Sequence, residues 1–238
     1  MIVKSNKVTE RFIFQSDSGF TNLPDIVRDA FLSQMTVKQF KKGQNIFTEG
    51  TYPAGIYFIK KGKVKKFKTL NGGKEQIIYV CKEGELLGYA SFLSEERYPD
   101  SAASLTDAVI GFIPKEKLVL LLDEYDELSK MLIKNLSHEY GVLVNFIATF
   151  TQKTVRERVA LTLLILHEKF KDDTTENCEV QIVLTREDFA NIVGTAVETL
   201  VRLLHDFKEE KLIETQGRKI IIKNKPKLLE IADISDIF

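Results

Sequence analysis

The stretch from Thr185 to Ile213 constrains this chain more than any other. Thr185 is followed three residues on by Asp188, and Thr195 by Glu198, with Val193-Gly194 between the two pairs. A threonine with an acid three residues later, ahead of an apolar run, is the signature of a capped helix start. Two such starts ten residues apart leave room only for two short helices joined at Gly194. The second helix places Val197, Glu198, Val201 and Arg202 on one face, with Thr195 just ahead of them, and Ala196, Leu200, Leu203 and Leu204 on the other. A helix pair of this kind sets its second helix into the major groove of DNA. After it, Leu212–Lys223 reads as a hairpin with Gln216-Gly217-Arg218-Lys219 at its tip, a wing. Residues 226–238 read as a short amphipathic tail helix.

Charge limits where a phosphate backbone would lie. The chain of 238 residues has no net charge. From Val155 onward 13 basic residues face 16 acidic ones, but between Arg202 and Lys227 the count is 8 to 4. A nucleic-acid face is therefore local to the second helix and the wing. Thr185, Arg186, Thr195, Arg218 and Lys219 are its candidate phosphate contacts.

Upstream, residues 40–114 carry glycines at 43, 50, 55, 62, 72, 73, 84 and 88, with β-rich runs between them such as Ile56-Tyr57-Phe58-Ile59 and Ile77-Ile78-Tyr79-Val80-Cys81. Short strands punctuated by glycine turns predict a small barrel or sandwich. Its basic stretch, Lys60–Lys68, reads as a solvated strand pair whose charges guard the sheet. Residues 20–36 and 115–123 read as helices. A long helix over Glu127–Phe150 places Leu128, Leu132, Leu136, Tyr140, Leu143, Ile147 and Phe150 in steps of four and three, a coiled-coil seam suited to a second subunit. Thr151–Thr154 breaks the stripe as a hinge, residues 155–170 form another helix, Lys171–Asn177 a polar loop, and Val180–Leu184 a short strand. The domains expected are 1–123, 124–154 for the dimer helix and hinge, and 155–238. The class is α+β, a jelly-roll (double-stranded β-helix) effector domain followed by a winged helix-turn-helix.

The runs Gly43-Gln44-Asn45-Ile46-Phe47-Thr48-Glu49-Gly50, Gly55–Val64 and Gly84-Glu85-Leu86-Leu87-Gly88 resemble a cyclic-nucleotide-binding β-roll. With Val155-Arg156-Glu157-Arg158-Val159-Ala160 and the winged pair, residues 20–225 resemble the CRP/FNR transcription regulators. The resemblance implies a homodimer that binds an inverted repeat in double-stranded DNA and works with RNA polymerase. The N-terminus, with Lys4, Lys7, Glu10 and Arg11 and no apolar signal-peptide core, leads to the expectation of a cytoplasmic protein. Val197-Glu198-Thr199-Leu200-Val201-Arg202 is more similar to the FNR branch, whose half-sites resemble TTGA. A sensor or scaffold of the same fold without DNA-binding activity is the competing reading.

The same resemblance argues against a cyclic-AMP response. Tyr89 stands where the family's ribose-binding Glu would be and Asp100, ahead of Ser101, where its phosphate-binding Arg would be. A carboxylate repels a phosphodiester. Arg97 is displaced by the loop offset, and Leu143 and Val144 replace the polar pair that would hold the base. An iron–sulfur cluster needs about four cysteines, and the chain has two, Cys81 and Cys178. No histidine precedes His138, which leaves the roll without ligands for haem or a metal. The expected cofactor set is empty. An apolar pocket lined by Tyr79, Tyr89, Phe92, Leu143 and Ile147, beside Asp100 and Ser101, leaves room for an unidentified small-molecule effector. No nucleophile elbow or phosphate-binding glycine loop points to an enzyme, and no apolar run is long enough to span a membrane.

Overall fold

The structure is a computed structural model that describes residues 10–13, 16–171 and 179–234. Part of the expected polar loop after Lys171, Cys178 and the last four residues of the tail lie outside these. The described residues divide into two compact units, one of residues 16–141 and one that joins residues 142–171 and 179–234 to residues 10–13.

In the first unit, eight strands make two four-stranded antiparallel sheets. β1 (Thr36–Phe40), β8 (Ala108–Pro114), β3 (Gly55–Lys61) and β6 (Leu86–Leu87) form one, in that order. β2 (Asn45–Phe47), β7 (Ser101–Ser104), β4 (Val64–Thr69) and β5 (Glu75–Cys81) form the other. This is the expected roll. Gly62, at φ +94°, makes the β3–β4 turn; a Cβ there would stand 2.5 Å from the Asp107 carbonyl oxygen, so no other residue fits.

Successive side chains of β3 alternate between faces. Ile56 and Phe58 pack outward onto helices, where they join Phe20, Val27, Phe31, Leu118, Leu121, Leu128, Met131 and Leu132 in one core. The Phe20 ring lies 5.2 Å from that of Phe31 and 4.8 Å from that of Phe58. The helices are α1 (Ser16–Thr21), α2 (Asp25–Ser33), α3 (Tyr89–Ser94), α4 (Lys115–Glu124) and α5 (Asp126–Gln152). The single helix expected over residues 20–36 is thus two, parted before Pro24, which caps α2 and cannot donate within it.

The long helix α5 serves both units. Its first half gives Leu128, Met131 and Leu132 to the core of the roll. In its second half Val142 and Thr149 are buried, the Phe146 ring meets Phe12 at 5.7 Å, and the Asn145 amide donates to the Arg11 carbonyl at 3.0 Å. The division between the two compact units falls at Gly141–Val142, inside the helix. Leu128 and Leu132 are correspondingly not part of an exposed seam: each is 1% exposed. Leu136, Tyr140, Leu143, Ile147 and Phe150 remain exposed, Tyr140 and Ile147 by 71% and 65%.

The second unit is built around α6 (Val155–Phe170), whose residues Val159 to Leu166 are all buried. Thr154 and Glu157 form a full capping box at its start. Thr151 and Gln152 still belong to α5, so the expected hinge shrinks to Lys153-Thr154. A small sheet, β10 (Ile213–Gln216), β11 (Lys219–Ile222) and β9 (Ile182–Val183), carries the wing. α7 (Arg186–Val193), α8 (Val197–Glu209) and α9 (Lys225–Ala232) complete it.

Candidate nucleic-acid interface

Thr185 opens α7, and its hydroxyl accepts from the Asp188 N–H at 2.9 Å. Gly194 ends the helix at φ +69°, a left-handed position that glycine reaches without strain. The chain turns at once. Thr195 N–H bonds back to the Ala190 carbonyl at 3.1 Å, and α8 starts at Val197. The second expected capping box does not form: the cap residue is Ala196, which makes no side-chain bond. The tight turn moves the helix start one residue past Thr195, which puts Glu198 in the first turn with its side chain outward.

α8 is strongly two-faced. Leu200, Leu204 and Phe207 are buried at 0%, 3% and 0% exposure. Val197, Glu198, Val201 and Arg202 are exposed together on the opposite face. Ala196, expected inward, is exposed, and Thr195 and Leu203 are half-buried. Glu198 and Arg202 make no ion pair or hydrogen bond among the described residues, although four residues apart. Both side chains are therefore available to another molecule.

Around this face the basic residues divide into two kinds. Arg218 and Lys219, at the wing, are exposed and unpaired among the described residues. Arg186 is instead half-buried and donates to the Gly217 carbonyl at 2.9 Å, with its Nη1 buried. Burial lowers its pKa. It ties the start of α7 to the wing tip and is not free to reach out as the sequence suggests. Thr185, too, is engaged locally, by Asp188.

Sequence reasoning gave Arg158 no role. Its guanidinium donates to three backbone carbonyls: Val193 at 3.1 Å, Gly194 at 3.3 Å and Lys153 at 2.9 Å. It thus fastens the turn between α7 and α8 to the end of α5, and lies over the Phe150 ring at 5.5 Å. Arg156 plays a parallel part, forked onto Glu210 at 2.7 Å and lying over Phe207.

A sequence model of the Crp-like helix-turn-helix domain matches residues 157–231, and one of the cyclic nucleotide-binding domain matches residues 37–125. The chain belongs to the CRP/FNR family of transcription regulators. It is similar to the fumarate and nitrate reduction regulatory protein of Vibrio cholerae, with 29% identity over 198 residues, 83% of this chain and 79% of that protein. The transcriptional activator protein Anr of Pseudomonas aeruginosa is 27% identical over 195 residues, 82% of this chain and 80% of that protein. Among solved structures, FixK2 from Bradyrhizobium japonicum superposes with a TM-score of 0.72 at 21% identity, covering 83% of this chain and 96% of that one. The regulator's winged unit is thus a DNA-binding domain.

The cavity of the regulator's roll differs from the one the sequence suggested. It measures about 30 Å³, room for little more than a water molecule. Tyr89 and Asp100 line it, together with Phe47, Lys66, Tyr98 and Glu139. Tyr79 and Ser101 are buried beside it rather than in it, and Ser101 is spent on the Glu49 N–H at 2.9 Å. Phe92 points into the helix-packed core. Leu143 and Ile147 do not line it; the α5 residue that does is Glu139. Arg97 is held away by the Gly50 carbonyl at 2.7 Å and by Tyr52.

Lys66 is the largest surprise. Strand β4 turns it inward, where its Nζ meets Asp100 Oδ2 at 3.1 Å. Burial alone would lower its pKa, but the charges of Asp100 and Glu139 outweigh that and raise it. The Tyr89 hydroxyl, buried beside Glu139, is pushed well above the ordinary phenol range, first by burial and then by that carboxylate. An inward lysine cannot be told from an outward one in a run of six basic residues whose apolar members, Val64 and Phe67, are three apart and are both buried only through the bulge after Lys66. Among the described residues no group of three or more His, Cys, Asp or Glu is placed to hold a metal ion, and no helix is long and apolar enough to cross a membrane.

Proposed function

We propose that this regulator reads an inverted repeat as a homodimer, through the exposed face of α8, without a cyclic nucleotide. The observation that carries the reading is the pair Glu198 and Arg202, exposed, unpaired and on one face of a helix whose other face is buried. Arg202 has the fork to donate twice to guanine, Glu198 accepts from cytosine N4, and Val197 and Val201 suit thymine methyls. This composition fits a TTGA-like half-site. Arg218, Lys219 and Thr195 flank the face as phosphate contacts. The exposed stripe Leu136, Tyr140, Leu143, Ile147 and Phe150 supplies a surface for the second subunit. A twofold pair of α8 helices then requires half-site centres about 34 Å apart. Action at promoters with RNA polymerase, in the cytoplasm and with no catalytic step, follows from the same reading.

Absence of a cyclic-nucleotide response rests on the Lys66–Asp100 pair, which fills the place of a phosphate and its counter-charge inside a cavity too small for a nucleotide. The roll has no cysteine set for an iron–sulfur cluster and no histidine for haem.

The test is selection of the purified, effector-free protein on random duplexes at near-physiological salt. Enrichment of an inverted repeat with a TTGA-like half-site, unaltered by cyclic AMP, is expected. Sequence-blind binding would remove the base-reading role, and enrichment only with cyclic AMP would overturn the closed cavity.

A further inference from the structure

The edge strands β1 and β2 belong to different sheets and do not pair with each other. Between them the roll opens into a cleft of about 640 Å³, within the range of small-molecule sites. Tyr57, Ile110, Phe112, Phe40 and Ile46 give its apolar lining. The Tyr57 ring lies 5.0 Å from that of Phe112, tilted by 41°. Burial raises the pKa of the Tyr57 phenol, so it stays protonated and is a donor at neutral pH. Its hydroxyl makes no hydrogen bond among the described residues. At the rim stand Lys38 and the amides of Gln39 and Asn45, also without partners there.

We infer that this cleft is a ligand site for a flat aromatic carboxylate. The half-buried rings and Ile46 take the apolar plane, while the Lys38 ammonium and the Tyr57 hydroxyl take the carboxylate. A polyamine is the wrong partner, since the lining offers an ammonium and no carboxylate. The site is distinct from the closed cavity by Lys66, which none of these residues line. It is independent of how the regulator reads DNA.

The chain contains no tryptophan, so Val37→Trp, at an exposed position beside Lys38 and outside the lining, places a single fluorophore next to the cleft. Titration with 4-nitrobenzoate, a planar quencher, is expected to give saturable quenching with one site per protomer. Adding Lys38→Glu is expected to weaken it by about tenfold, the loss of one charge-assisted contact. Neutral nitrobenzene should be indifferent to that change. A second single-tryptophan protein, Leu120→Trp on α4, reports non-specific quenching. Linear quenching equal in both tryptophan proteins would overturn the site. So would saturable quenching that Lys38→Glu leaves unaltered, which would reduce it to an apolar cleft with no preference for an anion. Far-ultraviolet circular dichroism of each variant establishes that the roll is intact.

Discussion

Arg202 is free because its natural partner on the helix does not take it. Glu198 lies four residues earlier, yet the two do not pair, and each keeps its capacity for a base edge. Arg202→Ala is expected to weaken specific binding by about 1–3 kcal/mol and to relax the preference at one position of each half-site. Arg218→Ala, by contrast, should weaken all sequences alike and lower the salt slope by about 1. Titration of both variants on cognate and scrambled duplexes at two salt concentrations separates the roles. Lys66 poses a different case. Lys66→Met alone leaves Asp100 buried and uncompensated, at a cost of about 3–5 kcal/mol, while Lys66→Met with Asp100→Leu should recover most of it. Urea unfolding of the three proteins measures this; equal stability of the single and double variants would mean that the pair is solvated.

At the scale of elements, α6 and α9 are joined through Glu168, which meets Lys225 Nζ at 2.7 Å and His167 Nδ1 at 3.3 Å. The His167 contact foremost, and Lys225 with it, pulls the carboxyl down to about 2 from its ordinary 4.5. A depressed carboxylate stabilises the fold above its unfolded pKa, and that stability is lost as pH falls through the folded value. Denaturation midpoints of the wild type should therefore drop between about pH 4.5 and 2, more steeply than those of Glu168→Gln. Coincident curves would count against the linkage.

The elements themselves were largely readable. Strong periodicities, such as Leu128 to Phe150 and the two faces of α8, gave the helices almost to the residue. Glycine spacing gave the roll. Three features escaped for physical reasons. Thr195 has the composition of a cap, but backbone geometry after Gly194 decides where a helix starts. Lys66 stands just before a bulge that lets Val64 and Phe67, three residues apart, both be buried, so the apolar residues of the strand give no single alternation to follow. Arg158 acts on backbone carbonyls, and such acceptors leave no mark in side-chain composition. The effector lining was misread where it relied on α5, because Glu139 and not Leu143 faces the roll's cavity.

For the molecule as a whole, the exposed apolar residues of α5 are the surface proposed for the second subunit. Ile147 and Tyr140 are the most exposed of them, and neither has a burial role in its own unit. Ile147→Asp is expected to dissociate the dimer, with a sedimentation coefficient that becomes that of a single chain at micromolar concentration. Affinity for the inverted repeat should fall with it, while the melting of the roll stays within about 0.5 kcal/mol, as for other surface changes. A variant that remains dimeric would move the subunit contact elsewhere.

Because α5 contributes to two cores at once, the regulator has no seam at which it can be parted cleanly. Its first half seals the roll through Leu128, Met131 and Leu132, and its second half shelters Phe12. Recombining such a protein with a relative at the ends of the helix would tear hydrophobic contacts from one parent or the other. A crossover near Gly141 spares them, provided that residues 10–13 travel with the C-terminal parent. New pairings of sensor and reader by shuffling thus call for two exchanges of chain, one at the start and one inside the helix.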